Sequence, residues 1–390
     1  MRIAIFDYRV VPTNPIGGCH RRLLERLSRE HDFTVFAVEF DNPCPERITW
    51  VRVPAPGRPL ALLFLSYQLL APLCYAAHRL RRRLRFDLVQ IVESNLWFGD
   101  LSYTHFCHRG FLRRGSARGS PSVLRGLLRW LDHRLHATFE PWVFRRARSI
   151  VVPSGGLARE LQAEYSETAD KLTVVANPID LPRMVPPAHF NRREQRSSLG
   201  LGEGDVVIVF AALGHFERKG LPILLAALEG FRDTPLRLLV VGGQPDLVRP
   251  YSRAVRARGL DDAVRLVGMQ GDIRPFLWAG DLFALPSAYE TFSLVAIEAA
   301  AAGLPLLVTR LHGVEDMIED GRNGFVVERT PAGVATGLHR FSSLSTHERR
   351  TMGERARASV QAYGVERFSA AWSQHYARLG ASQRRPAGAE

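Results

Sequence analysis

The chain has 390 residues, of which 46% are hydrophobic and 23% are charged, a composition typical of a packed globular protein and not of a disordered one. At roughly 100–200 residues per domain, this length predicts two domains. The formal net charge is +13, and residues 1–180 carry 26 basic against 17 acidic side chains. A basic N-terminal half predicts an anionic partner, such as phosphate or lipid. Because no helix-turn-helix, zinc-finger or RNA-binding pattern accompanies the charge, we do not expect nucleic acid as a partner.

Cysteine usage and the chain start indicate the compartment. The four cysteines (Cys19, Cys44, Cys74 and Cys107) form no CxxC pair and show no regular spacing, which favours a reducing compartment. The opening MRIAIFDYRV has the pattern of a strand and not of a secretory signal. We therefore expect a cytoplasmic protein whose basic N-terminal half can contact the inner face of the plasma membrane.

The first half of the chain alternates strand-type and helix-type segments. RIAIFDY and FTVFAVEF are apolar runs of the buried-strand type, with the helical HRRLLERLSRE between them. DLVQIVE, SIVVPS and LTVVAN continue the series of strands.

Residues 59–77 are mostly apolar and precede the basic run HRLRRRLR. Their length is near the lower limit for a membrane span with a positive inside flank. The internal Pro72, the polar Ser66 and Gln68, and the strand that follows favour the alternative, a buried helix whose basic end meets anionic headgroups.

Residues 113–148 begin with the polar RRGSARGSPS and continue as a helical pattern. Its apolar positions recur at helical spacing with arginines between them: Leu124, Leu127, Leu128, Leu131, Leu135, Phe139 and Trp142. A basic amphipathic helix with Trp is typical of a membrane-surface element. A helix that turns its apolar side to the core has the same pattern, and the sequence of residues 122–146 leaves both alternatives open.

The alternation restarts after a polar, proline-bearing stretch. VVIVFAAL, LRLLVVGG, AVRLVG, DLFALPS and LPLLVT are strands, with helices at 220–231, 247–258 and 294–302 between them. Such alternation predicts parallel sheets. We expect an α/β protein with two tandem Rossmann-like, doubly wound domains facing across a cleft. The expected division is 1–185 and 186–364, with a helix at about 365–380 that packs back on the first domain and a flexible tail at 381–390.

The strongest chemical pattern is at residues 281–309, DLFALPSAYETFSLVAIEAAAAGLPLLVT. A strand ends at Pro286–Ser287, a turn carries Glu290, and a helix opens at Thr291–Ser293, whose N–H groups would bind an anion such as a diphosphate. Glu298 follows Glu290 with seven residues between, so we expect it about two turns into the helix, on the same face. Paired carboxylates accept hydrogen bonds from sugar hydroxyls. The same pattern would also arise if Glu290 only stabilised the helix dipole and Glu298 were an exposed glutamate of the helix.

This segment resembles the E-x7-E signature of the family 4 (group 1) retaining glycosyltransferases of the GT-B superfamily. The resemblance continues through HGVEDMIEDGRNGFVV, LRLLVVGG and GHFERKGLPILLAAL, and through PIGGCHRRLLERLSREHDFTVFAV, FDLVQIVES, ARSIVVPSGG and VVANPID in the first half. It covers most of residues 1–330 in the family's order. It implies a GT-B fold and a nucleotide-diphosphate sugar as the donor substrate.

The resemblance also implies a role for each matching residue. Glu290 would bind hydroxyls of the donor sugar, and Glu298 would bind the nucleotide ribose. Gly17 and Gly18 would let the first N-terminal loop approach the donor without a Cβ, although a tight strand-to-helix turn requires glycine for the same reason. The backbone groups expected to face the diphosphate belong to Thr291, Phe292, Ser293 and Leu294.

Lys219 would pair with the diphosphate, and composition supports this role independently. Lys171 and Lys219 are the only lysines among the 52 basic residues, and a compact ammonium in a loop after a strand suits a phosphate contact. Related sequences often have Gly-Arg before the Lys-Gly, whereas Gly214-His215 stands here. We therefore place His215 beside the phosphate and expect Arg218 to supply the missing charge.

The segment THFCHRGFLRRG stands where similar enzymes have an N-domain histidine at the sugar. The Cys-His order favours His108, and His105 stays an alternative. His105, Cys107 and His108 also suggest a metal, but three ligands within four residues cannot surround an ion unaided. No Asp-x-Asp pair of the metal-dependent glycosyltransferases is present. We expect neither a metal ion nor a separate cofactor.

The sequence therefore predicts a hexosyltransferase-type enzyme that moves a sugar to a hydroxyl with retained anomeric configuration. The expected acceptor is a glycan or lipid-linked glycan in bacterial surface-polysaccharide synthesis. A sugar-nucleotide 2-epimerase has the same fold, but it needs acid and base groups around C2. A non-catalytic membrane-associated binding protein is the second alternative, and it would not need Glu290, Glu298 and Lys219.

Overall fold

The computed structural model describes residues 1–114 and 123–383. The chain divides into two compact units, one formed by Met1–Pro178 together with the chain from Val365 onwards, the other by Ile179–Gly364. The first division lies a few residues before the boundary that we expected at 185/186. Most of the polar segment RRGSARGSPS and residues 384–390 of the expected tail lie outside the described residues.

The strands of the described residues are β1 (Arg2–Phe6), β2 (Arg9–Val10), β3 (Asp32–Ala37), β4 (Glu39–Phe40), β5 (Thr49–Arg52), β6 (Leu88–Val92), β7 (Leu101–Tyr103), β8 (Ser149–Val152), β9 (Leu172–Val174), β10 (Val206–Ala211), β11 (Leu236–Val241), β12 (Val264–Gly268), β13 (Leu282–Leu285), β14 (Leu306–Val308) and β15 (Gly324–Val326).

The α-helices are α1 (Pro15–Leu27), α2 (Leu60–Arg82), α3 (His108–Arg113), α4 (Val123–Arg146), α5 (Gly155–Glu164), α6 (Leu181–Met184), α7 (Arg192–Ser198), α8 (Phe216–Lys219), α9 (Leu221–Leu228), α10 (Pro245–Ala257), α11 (Arg274–Ala279), α12 (Leu294–Ala301), α13 (Pro331–Ser342), α14 (Thr346–Ser359) and α15 (Val365–Gln383).

A seven-stranded parallel sheet with the order β5-β3-β1-β6-β7-β8-β9 forms the first unit. The strand order reverses between β1 and β6, which is the topological switch point of a doubly wound sheet. The helix α15 belongs to this unit, because its Trp372 and Tyr376 are buried in the same apolar cluster as Ile3 and Leu23. The helix expected at about 365–380 is α15, and it continues to Gln383, so the first three residues of the expected tail are helical.

A six-stranded parallel sheet with the order β12-β11-β10-β13-β14-β15 forms the second unit. Its switch point lies between β10 and β13. In open α/β sheets, ligands bind in the crevice at the carboxyl ends of the strands at this point. The loops after β10 and β13 therefore form the expected binding edge of the second unit.

The helix α2 packs one face on the first sheet. Its Phe64 and Tyr67 are fully buried, and the Tyr67 hydroxyl donates a hydrogen bond to the Phe36 carbonyl at 2.6 Å. Among the described residues, α2 is the one helix long and apolar enough to cross a membrane. Because its inner face belongs to the core of the sheet, lipid cannot surround the helix in this fold.

The helix α4 has a polar buried face and an apolar exposed one. Asp132, His136 and Glu140 are buried at helical spacing, whereas most of the described positions of the predicted leucine stripe are exposed. These are Leu127, Leu128, Leu131 and Trp142. The alternative in which this apolar stripe faces the core is therefore wrong for those four residues.

Candidate functional site

Two charged side chains that follow neighbouring strands meet at the switch point of the second unit. Lys219 ends α8 after β10, and Glu290 follows β13. The Lys219 Nζ lies 2.6 Å from Glu290 Oε1, with side chains that are 15% and 9% exposed. The carboxyl ends of adjacent parallel strands share one edge, which is why the sheet brings together two residues separated by 71 positions.

Hydrogen bonds fix the Glu290 loop against α8. The Ser287 hydroxyl donates to Glu290 Oε1 at 2.8 Å. The Ala288 N–H donates to the Arg218 carbonyl at 2.8 Å, and the Arg218 guanidinium donates to the Tyr289 carbonyl at 3.2 Å. The two loops therefore position each other through both backbone and side-chain groups.

Gly220 allows this close approach. Its φ is +89°, a conformation that residues with a Cβ rarely adopt, and an added Cβ would lie 2.2 Å from the Pro286 carbonyl oxygen. Glycine thus permits the chain after Lys219 to pass directly over the end of β13.

Two hydrogen-bond donors near the pair are buried without a hydrogen-bond partner among the described residues. They are the Nε of Arg218 and the hydroxyl of Ser293. Buried donors in folded proteins are nearly always paired. The Arg218 guanidinium and the Ser293 hydroxyl can therefore each donate a further hydrogen bond, and an anionic ligand such as a phosphate would accept it.

The helix after Glu290 begins later than expected. Its first residue is Leu294, with Ser293 as the N-cap residue, so Thr291 and Phe292 belong to the turn. Glu298 is therefore the fifth residue of α12, about one turn into the helix, and not two turns as expected. Its side chain is half-buried. His215 is exposed at the start of α8, with a φ of +56°.

The two glycines of the first loop have different surroundings. A Cβ on Gly17 would lie 2.0 Å from the Arg9 carbonyl oxygen, whereas the nearest atom to a Cβ on Gly18 is 3.7 Å away. The Asn14 side chain caps the same helix by accepting from the N–H groups of Ile16 and Gly17. Gly17 is thus required by tight packing of α1 on the preceding segment.

Both candidate histidines are buried in the segment after β7. The His105 Nε2 lies 3.2 Å from Asn177 Oδ1, and burial, with His20 nearby, lowers the pKa of His105 to about 3. Burial also lowers the pKa of His108 to about 3. The His108 Nε2 is 3.3 Å from Glu93 Oε2. Both histidines are therefore neutral at pH 7.

Sequence reasoning missed the polar residues around His108. Burial, with Asp7 nearby, raises the pKa of Glu93 to about 8, and burial, with Glu93 nearby, raises the pKa of Asp132 to about 6. The His136 ring stacks on His108 with 4.3 Å between ring centroids. The spacing of Asp132, His133 and His136 on one helix was the available signal, and the leucines between them obscured it.

A second buried network surrounds α1. The His20 Nδ1 lies 2.7 Å from Asp7 Oδ2 and its Nε2 lies 2.8 Å from Gln90 Nε2, while the Tyr376 hydroxyl donates to Gln90 Oε1 at 2.6 Å. The amide nitrogen can only donate, so His20 carries its proton on Nδ1. This network connects α15 to the sheet.

Two family sequence patterns match different parts of the chain. The pattern of Glycosyltransferase Family 4 matches residues 20–183, and the pattern of Glycosyl transferases group 1 matches residues 204–343. Together they include His105, His108 and the whole of the Lys219–Glu290 region.

The chain is similar to D-inositol 3-phosphate glycosyltransferases. It is 28% identical over 267 residues to the protein of Corynebacterium urealyticum, an alignment that covers 64% of this chain and 62% of the relative. It is 33% identical over 263 residues to the protein of Nocardia farcinica, with 62% and 57% covered. The chain thus spans about six tenths of the length of these relatives.

Solved structures match over nearly the whole chain. Sucrose-phosphate synthase from Thermosynechococcus elongatus has a TM-score of 0.78 at 19% identity, covering 98% of this chain and all of the other. WaaG, a glycosyltransferase involved in lipopolysaccharide biosynthesis, has a TM-score of 0.75 at 19% identity, covering 96% and 99%. Anabaena HepE in complex with UDP-glucose has a TM-score of 0.71 at 19% identity, covering 97% and 100%.

Two doubly wound parallel units and these neighbours define a protein of the GT-B fold class. The chain belongs to the family 4, group 1 glycosyltransferases.

Proposed function

We propose that this protein transfers a sugar from a nucleotide-diphosphate donor to a hydroxyl acceptor, with the anomeric configuration retained. The observation that carries the proposal is the Lys219–Glu290 pair at the switch point of the second sheet. This edge is the ligand-binding edge of doubly wound sheets. HepE, which has the same fold, is described in complex with UDP-glucose, and a nucleotide sugar is the donor class that we assign here.

Neutralising the departing diphosphate is the main chemical task. We assign it to the Lys219 ammonium, with the Arg218 guanidinium and the Ser293 hydroxyl as further donors, because Arg218 Nε and Ser293 Oγ have no partner among the described residues. Fixed donors aimed at developing negative charge lower the barrier without reorganisation during the reaction. Backbone groups of residues 291–294 would complete the phosphate contact at the start of α12.

We assign the sugar contact to Glu290. Its Oε1 accepts hydrogen bonds from Lys219 and Ser287, so its position is fixed before a donor arrives. A carboxylate oxygen has more than one lone pair and can also accept from a sugar hydroxyl. We keep Glu298 as the proposed contact of the ribose, and His108, or in its place His105, as a proposed contact of the sugar. No step requires a metal ion.

The acceptor side is proposed to contact a membrane. The outer face of α2 exposes Leu62, Leu65, Leu69 and Leu73 at helical spacing. The neighbouring α4 exposes Leu127, Leu128, Leu131 and Trp142, and the two helices contact each other where the Phe64 and Phe139 rings lie 5.2 Å apart. We call these exposed residues of α2 and α4 the apolar surface. Large apolar side chains exposed on two packed helices are typical of an interaction site.

We identify an anionic bilayer as the partner of the apolar surface. Arg79, Arg81 and Arg82 occupy the last turn of α2, and Arg83 and Arg85 follow. Apolar residues beside a cationic run are typical of a helix that lies in the headgroup region. An enzyme at this surface can reach a lipid-linked glycan, which is the acceptor that we propose, at the inner face of the plasma membrane.

The relatives named for D-inositol 3-phosphate and for sucrose phosphate favour a small soluble acceptor instead. The lipopolysaccharide role given for WaaG favours the lipid-linked alternative. The apolar surface decides our preference, because a soluble acceptor gives no reason to expose so many leucines.

A thermal-shift panel of nucleotide sugars tests the donor assignment, since a ligand that binds the folded state raises its Tm. We expect one donor to raise the Tm of the wild-type protein and to have a much smaller effect on Lys219→Ala. Incubation with that donor alone separates the alternatives. Slow donor hydrolysis supports a transferase, a C2-epimerised sugar nucleotide identifies an epimerase, and an unchanged donor with no transfer to any added lipid-linked acceptor contradicts the proposal.

A further inference from the structure

Three potential metal ligands come together at the carboxyl end of the first sheet. Glu93 directly follows β6, His108 is the first residue of α3, and His136 lies in the middle of α4. One ligand atom from each lies within 4.8 Å of the other two. We propose that Glu93, His108 and His136 bind a divalent first-row transition-metal ion, with Zn²⁺ the best match. This site lies within the first unit. It shares His108 with the proposed sugar contact and no residue with the Lys219–Glu290 pair.

The spacing of the first two ligands already suits zinc. The His108 Nε2 lies 3.3 Å from Glu93 Oε2. Zinc binds nitrogen and oxygen ligands at about 2.0–2.2 Å in tetrahedral geometry, so two of its ligand atoms lie roughly 3.3–3.5 Å apart. A single ion can therefore bind both atoms with little movement of either side chain.

The third ligand requires a rotation. The His136 ring is parallel to the His108 ring, with 9° between planes and 4.3 Å between centroids. The lone pair of each ring nitrogen lies in the plane of its ring, so the lone pairs of two parallel rings cannot point at one ion. The His136 ring must therefore tilt away from the His108 ring when the ion binds.

Groups behind the two histidines orient them as metal ligands. The Ser94 hydroxyl lies 2.8 Å from His136 Nδ1, and the His133 Nδ1 lies 2.9 Å from His108 Nδ1. Metal-bound histidines nearly always make a hydrogen bond through the nitrogen that does not bind the metal. These contacts assign Nε2 of both rings as the ligand atoms.

Charge supports the same assignment. Glu93 and Asp132 are two carboxylates in a largely buried setting. Their oxygens lie 3.3 Å from His108 Nε2 and 4.0 Å from His136 Nε2. Buried carboxylates require a cation or a proton. A divalent ion can take the place of the proton that a buried carboxylate otherwise requires.

The donor set selects the class of metal. Two imidazole nitrogens and one carboxylate are a common zinc set, which leaves a fourth position for water. Calcium and magnesium prefer oxygen ligands throughout. Asp132 Oδ1, 4.0 Å from His136 Nε2, is available to accept a hydrogen bond from a water in the fourth position.

Metal binding is measured on the full chain, purified without a polyhistidine tag and treated with a chelator. We expect the wild-type protein to bind one equivalent of Zn²⁺ with a rise in Tm that chelator reverses. We also expect Co²⁺ to give the visible absorption of a tetrahedral site. His136→Gln and Glu93→Gln should abolish both signals. Ser94→Ala should weaken binding by roughly 10–100-fold, because it removes only the group that orients His136.

His347→Gln is the matched control, because His347 is exposed in the second unit, and it should bind Zn²⁺ as the wild-type protein does. Circular dichroism of each variant verifies folding, and Ser94→Ala keeps the test valid if a ligand variant unfolds. Absence of stoichiometric Zn²⁺ and Co²⁺ binding by the wild-type protein overturns the proposal. Wild-type affinity in folded His136→Gln or Glu93→Gln overturns it as well. Neither result bears on donor binding at the Lys219–Glu290 pair, which is measured separately with the Lys219→Ala variant.

Discussion

The Lys219 ammonium nitrogen lies 2.6 Å from Glu290 Oε1, and the Ser287 hydroxyl donates to the same carboxylate oxygen at 2.8 Å. Both members of the pair are largely buried. Removing one partner of such a pair leaves the other as an uncompensated charge. The two residues therefore act as one unit, and variants of either are informative only together.

Lys219→Ala should lower kcat/KM by about 10²–10³-fold, because it removes a preorganised donor to the leaving diphosphate. Glu290→Gln should also lower kcat/KM. The fold-decrease in kcat/KM of the double variant should be smaller than the product of the fold-decreases of the two single variants. Steady-state kinetics of all four proteins measure the coupling. Lys171→Ala is the matched control, since Lys171 donates to the carbonyls of Phe144 and Arg145. Independent, fully multiplicative effects would contradict a functional pair.

Gly220→Ala should destabilise the second unit by roughly 1–3 kcal/mol, since it adds a Cβ at a positive φ and against the Pro286 carbonyl. It should also weaken donor binding, because α8 must move away from the Glu290 loop. Chemical denaturation and donor titration measure the two effects. Gly230 has no atom within 4 Å of an added Cβ, so Gly230→Ala should leave both unchanged. Equal behaviour of the two variants would refute this account of Gly220.

Replacing Leu69 and Leu73 by Glu should weaken binding to vesicles that contain anionic phospholipid by at least tenfold. These side chains are 70% and 65% exposed, and inserting one leucine into an apolar phase is worth about 1.5–3 kcal/mol. Vesicle co-sedimentation at low and high salt separates the electrostatic contribution to membrane binding, which salt screens, from the apolar contribution. Met269→Glu alters an exposed apolar residue of the second unit and should have no effect. Unchanged binding of the leucine variant would exclude the apolar surface as the membrane contact.

Protonation of His375 should contribute to acid destabilisation. Burial, with Arg378 nearby, lowers the pKa of this residue to about 4, and its Nε2 lies 3.0 Å from Ser149 Oγ. The unfolded chain has a His pKa near 6.5, so it binds the proton more readily than the folded one. The contribution of His375 to the free energy of unfolding is therefore fully present above pH 6.5. It is lost as the pH decreases towards 4, and the loss is on the order of 3 kcal/mol.

His375→Gln should remove this part of the pH dependence. Urea denaturation at pH 7.5 and pH 4.5 gives the free energy of unfolding of both proteins, and the difference between the two pH values should be smaller for the variant. His339→Gln, at an exposed position, should behave as the wild-type protein does. An identical pH dependence in wild type and His375→Gln would show that His375 is not responsible.

Several elements followed from local sequence alone. The apolar runs of β1, β10 and β11 and the alternation with helices predicted parallel doubly wound sheets, because backbone periodicity and burial are properties of neighbouring residues. The scarcity of lysine supported Lys219 without reference to any family, whereas Glu290 and Glu298 depended on the family resemblance of the segment around them. The short strands β7 and β15 were missed. The equally short β9 and β14 were recognised from the apolar runs in LTVVAN and LPLLVT, whereas no such run marks β7.

Tertiary structure decided which of these residues meet. The helix α12 begins at Leu294, after the turn in which Glu290 contacts Lys219. Lys219 is 71 positions away from Glu290, so the sequence around Glu290 gives no sign of this contact. The leucines of α4 gave the same periodicity whether they faced the core or solvent, and only packing against the sheet showed that Asp132 and His136 take the buried side. The sequence by itself determined the elements and the chemical types of the candidate residues. The distances between those residues were decided by the order of strands in each sheet, because neighbouring strands come from segments that are far apart along the chain.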